Sequence, residues 1–111
     1  IKVDLIENVR EKLRKYKKED VIISFHAYIR AVARQIDLDE VKENIINPTK
    51  LYYIERQAAR HDWEEKYNCY FGYTKTLCHR YVITINHNCI VCTIIKMNRR
   101  WQRRFEKHAK I

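Results

Sequence analysis

One glycine and one proline in 111 residues leave little material for tight turns and none for a flexible linker. The same scarcity excludes a glycine-rich phosphate loop, so nucleotide-binding folds drop out. No apolar run approaches the length needed to cross a bilayer, and no membrane partner is expected. The opening residues are amphipathic rather than a basic stub before an apolar block, so no secretory signal is read there. These absences predict a soluble, cytoplasmic protein in which residues 1–111 form one domain around one core. A further gap concerns a single sign of charge: no Asp or Glu lies between Lys66 and Arg104.

That gap gives the net charge of +9 a direction. From Tyr67 onward, Lys75, Arg80, Lys96, Arg99, Arg100, Arg103, Arg104, Lys107 and Lys110 face one acid, Glu106, so this part carries +8. Soluble domains normally intersperse both signs, and segregation of this kind favours a polyanionic partner. Lys75, Lys96, Arg99, Arg100, Arg103, Arg104 and Lys107 are the candidate nucleic-acid contacts. The acid-free stretch 66–97 is crowded with β-branched and aromatic residues and breaks at 74–78 and 86–88, which predicts three consecutive strands. Asn86, His87 and Asn88 suit the tight turn of a hairpin.

Before this block the pattern is helical. Leu5, Ile6, Val9, Leu13 and Tyr16 recur at helical intervals over 4–17, with Asp4 and Glu7 at capping-box spacing. Val21, Ile22 and Ile23 fit either a short strand or a helix start. Ser24 is placed to cap a helix in which Phe25, Tyr28, Ile29, Val32 and Ile36 share a face, while His26, Arg30 and Arg34 form a polar row spaced by four. Asp37 and Glu40 repeat the capping-box spacing for a short helix carrying Leu38, Val41, Ile45 and Ile46, stopped at Asn47 and Pro48. A first strand follows over 50–56, with Leu51, Tyr53 and Glu55 on one side and Tyr52 and Ile54 on the other. Residues 58–65 are a charged connection, and 99–110 a basic amphipathic helix docked by Trp101 and Phe105.

Cys69, Cys78, Cys89 and Cys92, beside His79 and His87, invite a zinc reading. The spacing opposes it, because Cys89 and Cys92 point to opposite faces of a strand and Ile90 and Val91 are not knuckle residues. Buried structural thiols are expected instead, with a disulfide as the alternative in a hyperthermophile. No metal and no cofactor are assigned.

The order of these pieces carries a resemblance. F-H-A-Y-I-R-A-V-A-R-Q-I-D-L-D-E-V-K-E-N-I-I-N-P over 25–48, a tyrosine-rich strand, R-Y-V-I-T-I, and C-I-V-C-T-I-I-K-M-N-R-R-W together resemble a small domain family related to RelE- and BrnT-type toxins. The resemblance spans residues 24–101. It implies an α+β domain, N-terminal helices followed by a four-stranded antiparallel sheet, of the group that includes ribosome-dependent and free messenger-RNA endonucleases. The matching positions are His26, Arg30 and Arg34 on the helix and Arg80 on a strand. The helix over 4–17 lies outside the family pattern and is placed to cover a sheet edge or to build a homodimer.

Metal-free RNA cleavage needs a base for the 2′-hydroxyl, an acid for the leaving 5′-oxygen and cations for the phosphorane. His26 serves as base or acid, a second proton carrier comes from His79, Tyr73 or Tyr81, and Arg30, Arg34, Arg80 or Lys96 supplies charge. The expected function is a toxin-like, metal-independent endoribonuclease that binds RNA, with ribosome-associated RNA and an acidic antitoxin protein as the implied partners. A non-catalytic nucleic-acid module and a partner-binding protein are the rival readings.

Overall fold

The computed structural model describes residues 2–98. The expected C-terminal helix over 99–110, with Trp101, Phe105, Arg99, Arg100, Arg103, Arg104 and Lys107, lies outside the described residues. Helix α1 (Lys2–Arg14) leads through a 3-10 turn at Lys18–Asp20 into strand β1 (Val21–Ile23). Helices α2 (Phe25–Ala33) and α3 (Leu38–Ile46) follow, then a 3-10 turn at Pro48–Lys50. The chain ends in β2 (Leu51–Gln57), β3 (Glu65–Gly72), β4 (Leu77–Ile85) and β5 (Cys89–Asn98).

The α+β class is as expected, but the sheet is five-stranded and mixed rather than four-stranded and antiparallel. Its order is β1-β5-β4-β3-β2, and β1 runs parallel to β5 with Val21 opposite Cys89 and Ile23 opposite Val91. The remaining pairs are antiparallel. The extra strand is the Val21–Ile23 segment, too short for periodicity to identify; a partner strand far along the chain decides its conformation.

The helices share one face of the sheet. Val9 and Leu13 of α1, Ala27 and Ala31 of α2, and Val41 and Ile45 of α3 join Tyr67, Phe71, Tyr81, Ile83, Val91 and Ile94 in one core cluster. Lys12 Nζ bonds both Glu65 carboxylate oxygens, at 2.9 and 2.7 Å, and Tyr16 donates to Asn86 O at 2.7 Å, so α1 is tied to β3 and to the β4–β5 hairpin. Arg10 also donates to Leu51 O of β2. The helix therefore lies over the core at the β2 side.

Three expectations change in detail. Helix α1 begins at Lys2, which puts Asp4 inside the helix rather than at its N-cap, and Glu7 accepts from Arg10. Ser24 caps α2 as expected, its Oγ accepting from Ala27 N at 3.0 Å, but Phe25, Tyr28, Ile29 and Val32 are exposed and only the alanines enter the core. In β2 a register shift between Leu51 and Tyr53 breaks strict alternation: Leu51 and Ile54 face the helices while Tyr53 joins Tyr70 on the other side.

Helix α2 ends without glycine. Gln35 takes the left-handed conformation at φ 56°, and Ile36 N bonds Ala31 O at 2.8 Å, which closes a Schellman turn over the buried Ile36.

Candidate functional site

Alternation along β4 separates its three candidate residues. His79 and Tyr81 point to the helix side, and Arg80 between them points to the opposite face, beside Tyr70. On the helix side, α3 presents Glu40 and Asn44 one turn apart. Asp37 alone caps that helix, its Oδ1 accepting from Asp39 N at 2.9 Å, so Glu40 is released from the capping role its spacing suggested. Its carboxylate instead accepts the Tyr73 hydroxyl.

The result is one hydrogen-bonded chain. Asn44 Nδ2 donates to Tyr81 at 3.0 Å and to the Tyr73 hydroxyl, using both protons of its amide. The hydroxyl proton of Tyr73 goes to Glu40, the strongest acceptor present, and the Tyr81 hydroxyl lies 2.9 Å from His79 Nδ1. Since Tyr81 accepts from Asn44, we assign its own proton to Nδ1, which places the imidazole N–H on Nε2. The Tyr73 and His79 rings are 4.3 Å apart, and Lys50 Nζ stands 4.1 Å above the Tyr73 ring. Lys96 of β5 is directly opposite His79 in the ladder.

Environment sets the protonation states. His79 is 5% exposed, and burial lowers its pKa below the ordinary 6.5; Glu40 opposes this while Lys96 and Lys50 add to it. Burial, then the Glu40 bond, pushes Tyr73 up to about 12, and burial raises Tyr81 as well. The centre therefore holds a neutral imidazole, two protonated phenols and two nearby lysines.

The other residues lie elsewhere. His26 and Arg30 are exposed on α2 and Arg34 is half-buried at its C-cap; none is among the groups that set the His79 or Tyr81 proton affinities. Lys75 is exposed in the β3–β4 turn and Lys96 exposed on β5. Across the sheet from His79, Tyr70 donates to Glu55 Oε1 at 2.7 Å with Arg80 on its other side. On that same face a cavity of about 350 Å3 is lined by Arg60, His61, Lys66, Thr84 and Cys92 among others, and Trp63, 70% exposed, stacks on His61 at 4.2 Å.

The thiols divide as the spacing implied: Cys89 lies in the helix-side core, while Cys92 faces Thr84 across the sheet at 3.4 Å. Burial raises Cys69 well above its ordinary value and pushes Cys89 up to about 12, which keeps both as inert thiols.

Sequence reasoning missed Glu40, Asn44 and Lys50. The signal for Asn44 was a polar residue between the core positions Val41 and Ile45, on the face where the other positions are apolar. No protein family model matches this chain, and no curated protein or solved structure does either. The likeness to RelE- and BrnT-type toxins therefore stands on the motifs alone.

Proposed function

We propose that this protein binds RNA and cleaves it without a metal ion, with His79 rather than His26 as the proton carrier. One observation supports the reading above the others: an imidazole kept neutral by burial, fixed through Nδ1 by Tyr81, with Lys50 and Lys96 beside it. Nε2 accepts the 2′-hydroxyl proton in the other neutral tautomer, reached when Nε2 releases its proton to solvent and Nδ1 takes one up and donates it to the Tyr81 oxygen. The 2′-oxygen then attacks phosphorus, the bond to the 5′-oxygen breaks, and lysine ammonium groups neutralise the phosphorane and protonate the departing oxygen. Among the described residues, the carboxylate that acts on His79 is Glu40, and it is engaged by Tyr73, so proton transfer and fixed positive charge are the means at hand.

A second reading, non-catalytic binding of unpaired RNA, is favoured by the Trp63–His61 stack beside Arg60 and Lys66 on the opposite face. Exposed rings next to cations suit base stacking with phosphate contact. One assay separates the two. Purified protein is incubated with total RNA in EDTA, with and without ribosomes, and compared with His79→Gln and His26→Ala proteins of verified folding. Cleavage reduced by about two to four orders of magnitude in His79→Gln, with RNA affinity retained, is the expected result. RNA binding without cleavage supports the module reading, and a loss confined to His26→Ala moves the centre to α2.

A further inference from the structure

Helix α2 is packed the opposite way from its composition. The residues turned to the sheet are its small ones, Ala27 and Ala31, both at 0% exposure. Its large apolar side chains face outward: Phe25 is 77% and Val32 60% exposed, with Tyr28 and Ile29 about half open. Spacings of three and four put these four on one stripe running the length of the helix. A contiguous apolar stripe of this kind marks an interaction surface in a soluble domain.

The charge around the stripe selects the occupant. Helix α2 contains no acidic residue, and none of His26, Arg30 or Arg34 enters an ion pair among the described residues. A second copy of the chain would bring net charge +9 and the same cations to the contact. The chain's own residues 99–111 carry Arg99, Arg100, Arg103, Arg104, Lys107 and Lys110 against Glu106, again the same sign. Like charges at a rim oppose association, while carboxylates there would steer and orient a partner. We propose that the exposed stripe of α2 docks an acidic amphipathic helix of a partner protein, its apolar residues lying along Phe25, Ile29 and Val32 and its carboxylates beside Arg30 and Arg34.

A display library of randomised short helices, selected against the full chain, tests this directly. The expected winners carry an apolar stripe at i, i+3, i+4 and i+7 flanked by Asp or Glu, and Phe25→Ser with Val32→Ser weakens their binding by about tenfold or more. Arg30→Glu with Arg34→Glu should shift the selected flanks to Lys and Arg. RNA cleavage by the Phe25→Ser, Val32→Ser protein should stay unchanged, so the docking surface and the nuclease reading stand or fall separately. No enrichment, winners without acidic bias, or binding indifferent to the serine pair overturns the proposal. Self-association abolished by that pair would give the face to a second copy, and uptake by phosphatidylserine vesicles abolished by it would give the face to a membrane.

Discussion

Burial, reinforced by Lys96 and Lys50, makes His79 a weaker base than its ordinary 6.5 allows. An unfolded chain takes up this proton as pH drops past 6.5, whereas the folded protein does so only further down. Across that interval the unfolded state binds more protons, so stability falls with falling pH; above 6.5 the contribution is fully present. Melting temperature should therefore decline on acidification below 6.5, and His79→Gln should flatten that part of the curve. An unchanged slope in His79→Gln would assign it to other groups. Glu65, held low by Lys12 and Tyr67, acts at more acidic pH, in the carboxylate range. Residue types at this centre were legible: a histidine and two tyrosines near a strand in an acid-free stretch invite proton chemistry. Their grouping was not, because Asn44 and Glu40 reach them from a helix far earlier in the chain. The separation of Arg80 from its neighbours could have been read from strand alternation alone.

Helix α2 shows what a periodic pattern leaves open. Phe25, Tyr28, Ile29 and Val32 do form one face, as their spacing predicts, yet spacing does not say what covers a face. Alanine lets the helix approach β5 closely, and the bulky stripe is left outside. Ala31→Leu should destabilise the domain by about 1 to 3 kcal/mol through overpacking. Val32→Ser, at an exposed position, should change stability by no more than about 0.5 kcal/mol. Denaturant titration of the two proteins checks the order, and the reverse order would invert the faces. The strands of the C-terminal half were legible because alternation and turn residues coincide; β3, β4 and β5 fall on either side of the two breaks. Strand β1 was not, since three residues carry no period and its pairing is with residues 89–91.

For the whole molecule, segregated charge is the feature the sequence displays most openly, with +8 of +9 lying beyond residue 66. If that half meets RNA, each neutralised phosphate releases condensed counterions, and the logarithm of affinity for single-stranded RNA falls by about 0.7 per phosphate for each tenfold rise in salt. Fluorescence anisotropy across a salt series should give a steep slope. An affinity that stays flat would remove the polyanion reading, whatever the fate of His79. The mixed topology was beyond sequence reasoning for the same reason that β1 was: a parallel partner leaves no local mark.

The β1–β5 ladder also fixes when this domain can fold. Val21 finds its partner only at Cys89, and Ala27 and Ala31 have β5 as their floor, so the sheet and its helix layer close together, late in the order of synthesis. Contacts of such long sequence separation slow folding, because the intervening chain must be restrained before they form. A nascent chain that has not yet delivered β5 has β2, β3 and β4 to receive α1 and α3, but no floor for α2 and no partner for β1. During that interval the β4 edge that will receive β5 and the alanine face of α2 stay open to water.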